Sequence, residues 1–390
     1  MSIRTSPEAI EDAVARRLGE LLTDVPLARG GDTPEWLLET LLAAAFAHPV
    51  FAGWPSPVTG WLDEAEALAT RLGEAEALAW VRLRRAVAAM RRGELDSALA
   101  ALDVPPETPP DAPSAALDIC RAIARIRVLV PLQRLDEAWH ALAVLPVTRL
   151  DGALRALRQL ALGEWQIESG AVDAAREPLR EALAGLPEDW IEERIQATQS
   201  LAFAQIGCVD APRALRTLEE ARALVRGAAV WPEVAQMDVA LGSLLCARGN
   251  QAAAQACLAE AAELAAQHGQ PDVALLAELG MARTRAAAGQ GAEAVAACLR
   301  AAQGFAARGE LLGFVSVLVL MAGIQAQTED FAGAYRTLAT GLAIARHRGW
   351  AAVEAPLRAQ VDRLRDEVMG AARFDAMVGR LVAEMKAQGA

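Results

Sequence analysis

Small side chains recur at a fixed spacing of 40 positions in the second half of this chain. One column of such residues contains Ala202, Gly242, Ala282 and Ala322. Two further columns contain Ala214, Ala254, Ala294 and Ala334, and Ala221, Ala261, Ala301 and Gly341. Where two helices cross at close range, a side chain larger than methyl would push them apart. The spacing therefore predicts paired helices stacked in repeating units, with the same close contact in every unit.

The repeat extends towards the N-terminus with small changes of spacing. One alanine of each predicted unit, called here the anchor alanine, falls at Ala65, Ala98, Ala138, Ala175, Ala214, Ala254, Ala294 and Ala334. The gap between small columns is filled by Leu218, Leu258, Cys298 and Leu338. Gly249 and Asn250 mark one break between paired helices, because Gly suits a helix C-terminus and Asn suits the next N-cap. The sequence thus predicts an all-α fold of about eight helix pairs.

These small-residue columns resemble the tetratricopeptide repeat family over roughly residues 60–348. The resemblance implies a right-handed α-α superhelix, that is, a tetratricopeptide-like solenoid. The units are longer than the usual repeat of about 34 residues. They are similar to the extended repeats of bacterial regulator sensor domains and kinesin light chains.

The pattern predicts three regions along the chain. Residues 1–59 are expected to form an N-terminal helical cap and loop, with helices at about 7–22 and 34–48 and a loop from Pro26 to Pro34. Residues 60–348 carry the repeat array, and 349–390 carry two amphipathic capping helices. His48–Gly60 is expected to be an irregular loop. The prolines of Val104–Pro113 predict an extended linker, with a proline-rich ligand motif as the alternative.

Charge and hydropathy exclude several kinds of partner. The net charge of −12 disfavours direct nucleic-acid binding and binding to an anionic membrane surface. Glu8, Glu11 and Arg16 interrupt the first apolar pattern, so no secretion signal is expected. The apolar stretch Leu311–Ile324 is too short to span a membrane comfortably and is predicted to be a buried helix. A cytoplasmic location is therefore expected. The chain contains a single Lys, a single Asn and a single Tyr, which is typical of a bacterium with a GC-rich genome.

No group of residues predicts catalysis, a metal site or a cofactor. The five cysteines form no CxxC pair and are expected to be small buried apolar residues: Cys120, Cys208, Cys246, Cys257 and Cys298. The four histidines lie far apart in sequence. Adjacent acidic pairs, Glu192–Glu193 and Glu219–Glu220, do not share a helix face and are predicted to be solvated charges.

The family resemblance implies where a partner would bind. In tetratricopeptide proteins the first helix of each unit lines a concave groove. The corresponding candidate residues here are Trp80, Glu164, Gln196, Gln199, Phe203, Gln236, Ser243, Arg283 and Gln327. Amides both donate and accept hydrogen bonds, which suits a peptide backbone, and Trp80, Phe203 and Arg283 are typical interface residues. The alternative is that curvature or the terminal helices cover some of them.

The leading hypothesis is a non-enzymatic scaffold or adaptor that binds a peptide or partner protein in this groove. Chaperone-binding members of the family clamp a C-terminal carboxylate with Lys, Asn and Arg on the first helices. The single Lys and the single Asn of this chain, Lys386 and Asn250, do not lie on those faces, so that role is disfavoured. The alternative is a ligand- or peptide-sensing regulatory protein that acts through a partner. Two further hypotheses are a cryptic enzyme and a homo-oligomer formed through the apolar C-terminal helix.

Overall fold

A computed structural model describes residues 6–51, 55–103, 115–145, 150–207 and 211–388. These residues form helices and their connections, and no strand occurs among them. The first eleven helices are α1 Pro7–Arg29, α2 Pro34–Ala47, α3 Val58–Leu72, α4 Ala75–Arg91, α5 Leu95–Asp103, α6 Ala115–Leu129, α7 Leu135–Val144, α8 Gly152–Glu168, α9 Val172–Gly185, α10 Ile191–Gly207 and α11 Ala211–Gly227. The others are α12 Trp231–Ala247, α13 Gln251–Gln267, α14 Pro271–Ala287, α15 Gly291–Ala307, α16 Leu311–Gln327, α17 Phe331–Arg348, α18 Ala351–Arg363 and α19 Ala371–Gln388, with a π-helical turn at Leu364–Met369.

The chain divides into two compact units, Met1–Val234 and Ala235–Ala390, with the boundary inside α12. Within each unit, helices that follow one another in sequence pack side by side. The predicted regions 1–59, 60–348 and 349–390 divide the chain by its repeat pattern, whereas the two units divide it by compactness. The three regions therefore stay a prediction.

The anchor alanines confirm the predicted pairing of helices. Each lies on the second helix of a pair, from α2–α3 to α16–α17, and each is at most 1% exposed. The remaining small-residue columns are buried as well. This all-α arrangement of helix pairs is the tetratricopeptide-like solenoid that the sequence predicts.

The contact around Leu258 explains why the columns need small residues. A Cβ added to Gly242 on α12 would lie 2.5 Å from Leu258 Cγ and 3.2 Å from the carbonyl oxygen of Ala254. A Cβ added to Gly280 on α14 would lie 2.5 Å from Leu258 Cδ2. Leu258 is completely buried. One leucine of α13 therefore fills the space that two glycines leave open.

Two helical glycines of the second unit should respond in opposite ways to alanine. We expect Gly242→Ala to lower the free energy of unfolding by about 1–3 kcal/mol, because Leu258 must leave its place. Nothing lies within 4 Å of a Cβ added to Gly323. Gly323→Ala should therefore stabilise α16 by about 0.5–1 kcal/mol through helix propensity. Urea unfolding measures both changes, and two effects of the same sign would contradict this packing.

The N-terminal helices differ from the prediction at two places. Helix α1 continues to Arg29, so Pro26 lies inside it and the connection to α2 contains only residues 30–33. Helix α3 begins at Val58, two residues before the predicted loop ends. Helix α1 packs against α11, far away in the sequence. Burial of Val14, Leu18 and Val25 explains why the helix persists through Pro26.

Further sequence predictions have mixed outcomes. Cys298 is buried, as predicted, whereas Cys120, Cys246 and Cys257 are only half-buried. Cys208 and Val104–Pro113 lie outside the described residues. Helix α16 buries most of its central apolar residues, as predicted. In the described ranges, no helix combines the length and the apolar character needed to cross a membrane.

Candidate functional site

Two neighbouring cavities lie along the first helices of the pairs in the first unit. The first has a volume of about 480 Å³ and apolar walls from Trp80, Leu83, Val87, Ile123, Leu154 and Leu157. The second has a volume of about 460 Å³ and apolar walls from Leu95, Val130, Pro131 and Ile167. Both cavities are lined by Met90 and Arg127. Helices α4, α6, α8 and α10 thus share one groove with two adjoining recesses.

A group of buried charges, called here the Glu192 cluster, consists of Arg84, Arg91 and Glu192. Arg84 Nη2 lies 2.9 Å from Glu192 Oε2, and Arg91 Nε lies 2.7 Å from Glu192 Oε1. Arg84 and Glu192 are 1% and 2% exposed. Burial raises the pKa of Glu192, but the charges of Arg84 and Arg91 outweigh it and lower this pKa to about 2. Glu192 therefore stays ionised at any physiological pH.

The Glu192 cluster also binds the backbone at the end of α2 and in the connection that follows it. Arg84 donates hydrogen bonds to the carbonyl oxygens of Ala45 and His48, at 2.7 and 2.8 Å. The backbone N–H of Val50 donates to Glu192 Oε2 at 2.9 Å. Three parts of the chain, α4, α10 and residues 45–50, are therefore joined by one carboxylate and one guanidinium.

The prediction that Glu192 and Glu193 are solvated charges is wrong. Glu192 is buried by its two arginine partners, and Glu193 is half-buried on the wall of the first cavity. Burial first, and then the neighbouring Glu192, raise the pKa of Glu193 above its ordinary value. Glu219 and Glu220 are exposed, as predicted. The difference arises because α10 lies inside the unit with arginines on the facing helices.

A second buried ion pair lies between the two cavities. Arg127 on α6 donates two hydrogen bonds to Glu164 on α8, at 2.9 and 3.0 Å. Their side chains are 5% and 14% exposed. Such a two-point contact fixes the orientation of the guanidinium group relative to the carboxylate group. Glu164, a predicted groove residue, is thus part of the groove wall and already paired.

The structure brings three of the predicted site residues to the cavities. Trp80 packs edge-on against Phe46 with ring centroids 5.7 Å apart and lines the first cavity. Glu164 and Gln196 line the second, where Gln196 Oε1 accepts a hydrogen bond from Arg91 Nη1 at 2.7 Å. The other two predicted residues of the first unit lie on α10 outside these cavities.

Gln199 donates a hydrogen bond to Glu233 at 3.1 Å, and Phe203 is 57% exposed. The predicted residues of the second unit are all exposed: Gln236, Ser243, Arg283 and Gln327. Their role in binding stays a prediction. Sequence reasoning missed Arg84, Arg91 and Arg127, although an arginine at a core-facing position of an apolar helix is a recognisable sign of a buried partner.

No protein-family model matches the sequence, and no curated protein matches it either. The fold is nevertheless similar to that of solved structures. A Rap protein complexed with Competence and Sporulation Factor is 15% identical, with a TM-score of 0.57 over 79% of this chain and 87% of that one. A signal-transduction ATPase of the STAND class with a tetratricopeptide repeat sensor, from Pyrococcus horikoshii, is 12% identical, with a TM-score of 0.58 over 85% of this chain and 54% of that one.

Aspartyl phosphate phosphatase F from Bacillus subtilis has the same fold. It is 14% identical, with a TM-score of 0.51 over 81% of this chain and 85% of that one. At such low identity these similarities establish the fold alone, namely a helical repeat of the tetratricopeptide kind.

Proposed function

We propose that this chain is a non-enzymatic interaction module, which binds a peptide segment of a partner protein in the groove of its first unit. The observation that carries the proposal is the pair of adjoining cavities between α4, α6, α8 and α10. Their volumes, about 480 and 460 Å³, fall in the range of pockets that enclose drug-sized ligands. The similar Rap structure holds Competence and Sporulation Factor, which supports binding as the use of this fold.

The walls of the groove suit a peptide. Trp80, Leu83 and Leu154 offer apolar surface to side chains. Gln196 and Ser200 offer amide and hydroxyl groups to a backbone. A peptide binds best where apolar contact is combined with a few directional polar groups.

The polar groups in the groove favour binding over catalysis. The carboxylates of Glu192 and Glu164 are already occupied by arginines. Burial raises the pKa of the Cys120 thiol to about 12, so no reactive thiolate forms there at neutral pH. Within the described residues, no three His, Cys, Asp or Glu side chains lie close enough to hold a metal ion. We therefore propose no enzymatic activity, although one solved structure of this fold is named as a phosphatase.

Selection from a phage-displayed library of random 12-residue peptides tests the proposal. We expect peptides to be enriched on the wild-type protein, and fluorescein-labelled copies to bind Trp80→Ala at least about tenfold more weakly, as for a buried aromatic contact. Trp36→Ala is the matched control, because Trp36 is 45% exposed on α2 and does not line the groove. Equal affinities for wild type and Trp80→Ala would contradict the proposal.

The second candidate function is a peptide- or ligand-sensing regulatory protein that acts through a partner. Arg84 supports this alternative, because it lines the first cavity and also binds the α2–α3 connection. A ligand in the cavity would therefore contact a residue that holds two parts of the chain together. The acidic charge favours a protein partner over nucleic acid. A cytoplasmic location, the absence of membrane attachment and pairing of chains through the C-terminal helices stay predictions.

A further inference from the structure

One nitrogen of the Arg91 side chain differs from the other two in its hydrogen bonding. Its side chain is 10% exposed. Nε donates to Glu192 and Nη1 donates to Gln196, both at 2.7 Å. The remaining nitrogen, Nη2, is buried and has no acceptor in the described part of the chain. A buried charged donor without an acceptor is costly, so its persistence points to an acceptor supplied from outside.

Two further donors lie on the same cavity wall. Gln196 uses its oxygen to accept from Arg91, so its amide nitrogen is the end that remains to donate. Ser200, which carries a hydroxyl group, lies one helical turn further along α10 and also lines the second cavity. Three residues that carry donor groups therefore line one recess whose walls are partly apolar. An acceptor with two oxygens would satisfy them.

The positive charge of Arg91 favours an anionic acceptor at its remaining nitrogen. Arg84 and Arg91 share the single carboxylate of Glu192. Three other carboxyl groups lie near Arg91 or line the cavity, namely Glu168, Glu193 and Glu233, and burial raises the pKa of Glu193 and Glu233. A carboxylate at Arg91 Nη2 would form a charge-assisted hydrogen bond, which is stronger than a bond to a neutral acceptor.

We propose that the second cavity binds the carboxylate of an Asp or Glu side chain of a peptide, through Arg91 Nη2, the Gln196 amide nitrogen and the Ser200 hydroxyl. This inference rests on the proposed function of peptide binding. Leu95, Val130 and Ile167 would contact an apolar residue beside the acidic one. An acidic side chain fits this site better than the C-terminal carboxylate of the peptide. The two cavities adjoin, and the proposed peptide fills both and continues past each of them, so its C-terminus lies elsewhere.

Peptides selected on the wild-type protein provide the first test. In each, every Asp is exchanged for Asn and every Glu for Gln, one at a time, and a further copy is amidated at its C-terminus. We expect one side-chain exchange to weaken binding by at least about tenfold, since charge-assisted hydrogen bonds are the strong ones. In Ser200→Ala this loss should shrink, because the acidic peptide binds more weakly while the neutral peptide is unaffected.

The possible outcomes separate this inference from the proposed function. Peptides that depend on Trp80 but on no carboxylate would overturn the inference and leave the function standing. Dependence on the terminal carboxylate alone would overturn the assignment to an acidic side chain. Failure to enrich any peptide would contradict the proposed function, and this inference with it.

A variant that needs no peptide provides the second test. Ser200→Glu places a carboxylate on the wall beside Arg91, so we expect the melting temperature to rise by about 2 °C or more and acidic peptides to bind at least about tenfold more weakly. Ser169→Glu adds the same charge at the exposed C-terminal end of α8, where it should not stabilise the protein. A lower melting temperature for Ser200→Glu than for wild type would overturn the inference.

Discussion

Replacement of Arg84 by Met is expected to lower the free energy of unfolding of the first unit by about 3–5 kcal/mol. The substitution leaves Glu192 buried beside Arg91 alone, and the carbonyl oxygens of Ala45 and His48 lose their donors. Desolvation of such groups without a partner is the main cost. Thermal unfolding should show a fall of about 10 °C in the melting temperature.

The neighbouring residue provides a matched control for this prediction. Arg85 makes ion pairs with Asp63 and Glu66, but its side chain is 38% exposed. Solvent screens such pairs, so Arg85→Met should cost at most about 1 kcal/mol. The triple variant Arg84→Met, Arg91→Met, Glu192→Leu should recover part of the loss, because it removes all three charges of the cluster together. Equal effects of the two single substitutions would refute the assigned role of the cluster.

The repeat was predictable because its physical cause acts at a fixed spacing. A close helix crossing needs a methyl-sized side chain at one position of every unit, so Ala254 and Ala294 occupy equivalent places 40 residues apart. Leu258 was predicted to fill the gap between the small residues Ala254 and Ala261 of its unit, and it is completely buried. Steric requirements of this kind determine the residue type at each position, so they can be recognised from the sequence alone.

The buried charges were not predictable in the same way. Arg84 and Glu192 are 108 positions apart, and neither belongs to a repeated column. Considered beside its neighbour in sequence, Glu192 resembles an ordinary surface charge. Its environment depends on which residues the facing helices present, and this follows from the packing of four helices together. For the same reason the family resemblance identified the groove face, with Trp80 and Gln196, but not the arginine that contacts Gln196.

Replacement of Gly227 by Leu should detach α1 from α11. A Cβ at this position would lie 2.5 Å from the carbonyl oxygen of Glu11 and 2.8 Å from Val14 Cβ. A flexible side chain could move away from the new Cβ, but the backbone of α1 cannot. The two helices must therefore separate. The contact buries Val14 and Leu18. Loss of such burial predicts a fall of about 3 kcal/mol or more in the free energy of unfolding.

Amide hydrogen exchange can locate this loss, because separation of the helices should accelerate exchange along Pro7–Arg29 more than elsewhere in the first unit. Gly19→Leu is the control: it lies on α1 itself, and nothing stands within 4 Å of a Cβ added there. That variant should gain about 0.5–1 kcal/mol, since leucine favours a helix more than glycine does. If Gly227→Leu leaves exchange in α1 unchanged, then α1 does not depend on this contact, and other contacts, such as its packing against α2 and the ion pair between Arg29 and Glu64, must fix its position.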